Sequence, residues 1–169
     1  MAKEKKKGDV ARLIEFAGKR GALTYLGCVL SALSQILGFV PFICIWLVAR
    51  DLIAVAPNWG AAEGLALYGW VALGFAVLSI VLYFAALMCT HVAAFRTAAN
   101  MRKQTTAHLM RVPLGYFDTH ASGALRRVID GCAASTETLL AHNLPDAAGS
   151  AAMVVGMVVM LFVFDWRMG

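Results

Sequence analysis

The chain has 169 residues and a formal net charge of +5, and 60% of its residues are hydrophobic, with a mean hydropathy of +0.71. Only 15% of the residues are charged, whereas soluble domains have about 25% charged and roughly 45–50% apolar residues, so the composition excludes an ordinary soluble domain. No groove-sized segment alternates basic residues with stacking aromatics, so the positive charge does not indicate a partner that is a nucleic acid.

A basic tail with a helical apolar stripe comes first in the chain. The stripe consists of Val10, Leu13, Ile14 and Ala17. Asp9 is a candidate N-cap, and residues 1–20 predict a cytoplasmic basic tail ending in an amphipathic elbow helix that lies flat in the headgroup layer. The alternative is the frayed cytoplasmic end of the first span. A signal peptide is not indicated, because the apolar run that follows is about twice the roughly 7–15 residues of an h-region.

Three long apolar runs predict three membrane spans. Gly21 to Ala49 gives 29 residues without a charge, Gly64 to Phe95 gives 32, and Ala147 to Phe164 gives 18. A bilayer core of about 30 Å needs roughly 20 apolar helical residues, so each run is long enough to cross it. We predict spans at about 21–49, 64–95 and 147–164, with a kink at Pro41 in the first. A buried core helix is an alternative only for the third run.

The Lys and Arg residues lie on one side of these spans. Residues 1–20 hold seven of the 15, the loop from Arg96 to Asp146 holds six, and the turn from Arg50 to Glu63 holds one. Cytoplasmic loops are the ones rich in Lys and Arg. We therefore predict a multi-pass protein of the plasma membrane whose N-terminus and long loop are cytoplasmic.

The second span is predicted to continue past the membrane. Neither a proline nor a cluster of turn residues lies between Gly64 and Arg111, and one helix of that length would reach about 72 Å, against a bilayer core of about 30 Å. Pro113 stops the helix, Gly123 permits a turn, and helical spacing resumes after it. The cytoplasmic loop 96–146 is therefore predicted to be a helical hairpin with a short transverse helix at about 113–120.

The end of this hairpin combines apolar side chains with a charge. Leu114, Tyr116 and Phe117 are followed by Asp118. Exposed apolar clusters cost solubility unless a partner covers them. The cluster therefore either inserts into a groove on a soluble protein or packs back onto its own hairpin, and the sequence leaves both interpretations open.

Other chemistry in the sequence is sparse. The four cysteines form no CxxC pair and the four histidines share no metal-ligand spacing, so we predict neither a metal centre nor a cofactor site in this chain. Ala148, Ala152 and Gly156 recur every four residues, an arrangement that lets helices approach closely. His91 is a candidate for a translocation path, although a packed or interfacial histidine is the favoured alternative. Asp146 either faces a cavity or is hydrated at the interface.

The stretch HLMRVPLGYFDTHASGALRRVID resembles the first cytoplasmic loop of exporter-type ABC transporters. In that family an aliphatic–Pro–x–x–aromatic–Phe–Asp segment forms the first coupling helix, and a glycine a few residues later opens the third transmembrane helix. The matching residues are Pro113, Tyr116, Phe117, Asp118 and Gly123. The segments LPD at Leu144–Asp146 and FVFDWRMG at Phe162–Gly169 also resemble the family's third helix and its outer end.

Two features depart from the family pattern. Ala124 stands where an acidic residue usually follows the glycine, and the segment from Arg126 to Gly131 stands where a Ser–Arg pair usually precedes Asn–Asp. Both departures concern contacts within the hairpin rather than the architecture.

The resemblance implies an all-α membrane protein in which residues 21–169 form the N-terminal half of an ABC permease domain. It implies that the chain couples to an ABC ATP-binding domain through Pro113, Leu114, Tyr116, Phe117 and Asp118, and that a second half-transporter completes a homo- or heterodimer. ATP and Mg would be bound by the ATP-binding domain of a full-length parent, because this chain has no GxxxxGK[ST] loop. We therefore expect this chain alone neither to bind nor to hydrolyse ATP, and expect it to be a shortened protein, a fragmentary reading frame or the product of a split gene.

The rival hypothesis is a small membrane scaffold that transports nothing and docks a soluble partner through its hairpin. Sequence beyond Gly169 would separate the two, since three more spans and a phosphate loop should follow in a transporter. The stretch AHNLPD also resembles siderophore-linked members of the family, but we assign no substrate from it.

Single cysteines at Asn58 and Thr119, in a variant whose native cysteines are replaced by serine, test the predicted topology. Intact cells are treated with an impermeant maleimide. Because seven and six basic residues lie in the two segments predicted to be inside and one in the turn predicted to be outside, we expect only Asn58→Cys to be labelled. Labelling of Thr119→Cys alone would show the opposite topology, and lysed cells serve as the control for reactivity at both sites.

Overall fold

The computed structural model describes residues 13, 16–18, 21–57, 64–164 and 166–167, and in these residues the regular structure is helical. The α-helices are α1 (Gly21–Leu37), α2 (Val40–Val55), α3 (Leu65–Leu109), α4 (Gly115–Thr119), α5 (Ser122–Thr138) and α6 (Leu144–Phe164). A π-helical turn, Leu139–Asn143, joins α5 to α6. The structure thus confirms the all-α class.

Three stretches are long and apolar enough to cross a membrane, as predicted. They are Gly21–Val55, Leu65–Leu109 and Ser122–Phe164. The first contains α1 and α2, which are separated by a turn at Gly38 and Phe39 just before Pro41. Proline lacks an N–H and its ring collides with the carbonyl four residues earlier, so the ladder of α1 ends where the kink was predicted.

Most of the predicted elbow helix lies outside the described residues, among them Asp9, Val10 and Ile14. Of the rest, Ala17 is buried. The side-chain amide of Asn100 donates a hydrogen bond of 2.8 Å to the backbone carbonyl of Phe16. This contact joins the segment before the first span to α3.

The second long helix extends well beyond a bilayer, as predicted. Helix α3 has 45 residues and so reaches about 68 Å at 1.5 Å per residue. It ends at Leu109, four residues before Pro113, and α5 begins at Ser122. The second turn of the hairpin lies at His120 and Ala121, whose backbones are extended, rather than at Gly123 as predicted. Gly123 instead lies in the first turn of α5.

The chain forms two compact units. The first comprises residues 1–27 and 87–145, and the second comprises residues 28–86 and 146–169. In the first unit α3 contacts the α5 side through small residues. Ala93, Ala94 and Ala98 are buried, and Ala94 packs against Leu140 and Ala141.

A proline in the first unit leaves a carbonyl that another helix satisfies. Pro145 has no N–H with which to bond the carbonyl of Ala141, four residues earlier. The hydroxyl of Thr90, on α3, donates a buried hydrogen bond of 3.1 Å to this carbonyl oxygen. The π-helical turn lies at the same place, where the N–H of Leu144 bonds the carbonyl of Leu139. The cross-helix bond therefore replaces one that the proline removes.

Close approach of helices characterises the second unit. A Cβ added at Gly149 would lie 2.8 Å from the hydroxyl of Ser31, and one added at Gly156 would lie 2.5 Å from the ring of Phe39. Gly156 was predicted as a packing residue. Its predicted companions Ala148 and Ala152 are half-buried, whereas Gly149 is buried.

Thr90→Val removes the hydroxyl that satisfies Ala141 while keeping nearly the same side-chain shape. We expect it to lower the free energy of unfolding by about 1–2 kcal/mol, the cost of an unpaired buried carbonyl. In a Pro145→Ala background the helix supplies its own N–H, so the same substitution should cost less. Thermal unfolding of the detergent-solubilised proteins measures this difference, and equal losses in both backgrounds would contradict the proposed exchange of donors.

Candidate functional site

The end of the cytoplasmic hairpin is fixed by its own backbone hydrogen bonds. The N–H of Tyr116 bonds the carbonyl of Pro113 at 3.0 Å, and the N–H of Phe117 bonds that of Leu114 at 2.9 Å. The N–H of His120 bonds the carbonyl of Tyr116 at 3.2 Å, and the hydroxyl of Thr119 donates to the same oxygen at 3.2 Å. Helix α4 is therefore one ordered turn that holds its side chains in defined directions.

Tyr116 is held between two rings at this end of the hairpin. It stacks on His120 with ring centroids 4.2 Å apart and planes inclined by 6°. It also meets Phe117 edge-on, with centroids 5.7 Å apart and an angle of 88°. The aromatic part of the predicted apolar cluster is thus partly satisfied by neighbouring rings.

Phe117 faces the inside of its own hairpin. It is half-buried and lines a cavity of about 370 Å³ between α3 and α5. The apolar residues that share this cavity are Leu109, Leu125 and Ile129. Leu114 points the other way and is 85% exposed. The structure therefore divides the predicted cluster, with Phe117 turned inward and Leu114 turned outward.

Charged side chains connect the two limbs of the hairpin behind this end. Nε of Arg102 on α3 lies 3.4 Å from Oδ1 of Asp130 on α5, and Nε of Arg126 lies 3.6 Å from Oδ2 of the same carboxylate. These contacts involve the segment that departs from the family pattern. Exposed pairs of this kind add about 0–1 kcal/mol each, so they register the limbs more than they stabilise them.

Two further polar contacts lie nearer the spans, one in each unit. In the first, the rings of His91 and His142 meet edge-on with centroids 4.8 Å apart. In the second, the Tyr83 hydroxyl donates a hydrogen bond of 3.1 Å to Oδ1 of Asp146. Sequence spacing did not reveal either pair, because the partners lie on different helices. No group of three or more metal-ligating side chains occurs among the described residues.

The family model for the ABC transporter transmembrane region matches residues 24–169. The chain belongs to this family. The match covers the three spans and the whole hairpin, so it confirms the resemblance that the hairpin sequence indicated and shows a membrane transporter domain.

Relatives of this ABC transmembrane region are larger proteins with a common name. The mycobactin import ATP-binding/permease protein IrtA of Mycobacterium tuberculosis is 31% identical over 142 residues. Its namesakes from Mycolicibacterium smegmatis and Mycolicibacterium thermoresistibile are 29% identical over 140 residues and 31% identical over 139 residues. The matches cover 84%, 83% and 82% of this chain but only 16%, 16% and 15% of the relatives. The chain therefore spans about one sixth of their length.

Phe117→Ala tests the inward position of this side chain in the ABC transmembrane region. Truncating a fully buried phenylalanine costs about 3–5 kcal/mol, and half-burial predicts a smaller loss of roughly 1–2 kcal/mol. We expect faster limited proteolysis of the hairpin in membranes that contain no ATP-binding domain. The matched control is Val128→Ala, since Val128 on α5 is 63% exposed and should tolerate truncation. Equal cleavage of both variants would show that Phe117 does not stabilise the hairpin.

Proposed function

We propose that this chain forms the first half of the transmembrane domain of an ATP-driven ABC transporter. In this proposal its helices contribute to the translocation path, and the end of its hairpin couples to an ATP-binding domain. The observation that supports it most directly is an ordered one-turn helix, held beyond the spans by two long helical limbs, in a chain of this family. The coupling surface consists of Pro113, Leu114, Tyr116, Phe117 and Asp118.

The proposed mechanism is mechanical. ATP and Mg bind to the separate ATP-binding domain, where hydrolysis supplies the free energy for the cycle. The resulting movement displaces α4, and the limbs carry the displacement to the spans, which gate by rigid-body motion. Helix α3 supports this role because its 45 residues run without a break from the spans to the end of the hairpin. A second half-transporter supplies the other wall of the path.

We place the N-terminus and the hairpin on the cytoplasmic side of the plasma membrane. The excess of Lys and Arg in the first 20 residues and in the loop 96–146 supports this orientation. An ATP-binding domain requires cytoplasmic ATP, so the same orientation brings α4 to the compartment in which its proposed partner works.

Mycobactin or a related compound is the proposed substrate. The relatives carry mycobactin import in their names and match more than four-fifths of this chain. The proposed direction of transport is therefore inward. Uptake of radiolabelled ferric mycobactin by cells that depend on the complete transporter tests this assignment against uptake of an unrelated amphiphile.

A photo-crosslinking amino acid at Tyr116 tests the coupling itself. The complete transporter, in which this chain is joined to the remaining domains, is irradiated in membranes. We expect a crosslink from position 116 to the ATP-binding domain, and none from position 53, where Ile53 is exposed on α2. Crosslinks from position 116 to another soluble protein, in cells without ATP-dependent uptake, would favour the scaffold hypothesis.

A further inference from the structure

The outward side of the hairpin end is apolar at two positions. Leu114 is 85% exposed and Met110, just after the end of α3, is 78% exposed. The aromatic neighbours of Leu114 are turned elsewhere: Tyr116 stacks on His120, and Phe117 lines the space between the limbs. Large apolar side chains this exposed at an ordered turn indicate a surface that a partner covers.

A recess adjoins Leu114 on this side of the hairpin. Its volume is about 560 Å³, and it is lined by Thr106, Leu109, Met110, Val112, Leu114 and Phe117. Most of these side chains are apolar, and Phe117 contributes a ring that other contacts already hold in place. The surface therefore combines a projecting aliphatic side chain with an adjacent hollow that accepts one.

The charge around this surface is positive. Between Arg102 and Asp130 the chain has five basic and two acidic residues. Asp130 lies beside two of the arginines, Arg102 and Arg126. The exposed Lys103, Arg111 and Arg127 thus remain against the exposed Asp118. A complementary partner carries carboxylates around an apolar centre.

We propose that Leu114, flanked by Met110, is the side chain that anchors the ATP-binding domain, and that Phe117 forms part of the receiving recess. The domain contributes an apolar pocket for Leu114, an apolar side chain for the recess, and carboxylates that face Arg111 and its basic neighbours. This inference rests on the proposed function, since it names the contact by which that domain docks. It differs from the expectation that the aromatic pair itself inserts into the partner.

Central, desolvated anchors carry most of the affinity of an interface, so truncating one has a large effect. Leu114→Ala in the complete transporter should weaken docking about 30-fold, which corresponds to about 2 kcal/mol. Leu114→Met keeps an unbranched apolar side chain of similar size and should retain most of the function. Val128→Ala removes a comparably exposed apolar side chain from the same hairpin and should have no effect.

The experiment measures ATP-dependent uptake of ferric mycobactin, substrate-stimulated ATP hydrolysis and the melting temperature of each variant in lipid nanodiscs or vesicles. We expect Leu114→Ala to lose uptake and the stimulation of hydrolysis at an unchanged melting temperature. Arg111→Glu should reduce both activities, and the reduction should shrink at high ionic strength because the contact is electrostatic.

Three outcomes would overturn the inference. Wild-type uptake by Leu114→Ala would remove the anchor, and so would a fall in its melting temperature that matches the fall in uptake. Loss of coupling in Phe117→Ala at an unchanged melting temperature would assign the anchor to the aromatic ring. The crosslink from position 116 separates these results from the proposed function: if it persists while Leu114→Ala is active, only the choice of anchor fails.

Discussion

A bilayer interior offers no partner to a backbone N–H or C=O group, so each one must be satisfied within the protein, and the architecture of this chain follows from that constraint. Helices satisfy it wherever the ladder is complete. Proline breaks the ladder at two places, and each break has a local remedy. At Pro41 the chain turns between α1 and α2, and at Pro145 the hydroxyl of Thr90 replaces the missing donor to the carbonyl of Ala141.

The same constraint explains why the hairpin can act as a lever. A helix that crosses the membrane without interruption continues into the cytoplasm until a residue stops it, and in α3 that residue is Pro113. Nothing between the spans and α4 requires a flexible joint in this limb. Small side chains such as Ala93, Ala94 and Ala98 let the other limb lie close to it, so the two form one packed element.

Helix α4 shows how a short segment can serve two purposes. Its inward ring, Phe117, closes the space between the limbs and gives the turn a fixed orientation. That orientation leaves Leu114 in solvent, where its exposure costs free energy until a partner covers it. Stability of the hairpin and recognition of the partner are thus assigned to different faces of the same five-residue helix.

The sequence by itself determined the number of spans, the extended hairpin, the kink at Pro41 and the stop at Pro113. These features depend on the length of apolar runs and on the backbone chemistry of single residues, which are local properties. Hydrophobicity also identified the apolar cluster at the end of the hairpin, and the motif around it identified the family. The elbow helix predicted for residues 1–20 lies mostly outside the described residues, so it stays a prediction.

Only the tertiary structure decided which side chains meet. The Tyr83–Asp146 hydrogen bond joins residues 63 positions apart, and the Thr90–Ala141 bond joins residues 51 apart. Leu114 and Phe117 are both apolar neighbours in one turn, and no periodicity says which of them faces the hairpin. The reason is the same in each case: contact depends on how whole helix faces are rotated toward one another, and that rotation is set by the packing of all the side chains between them.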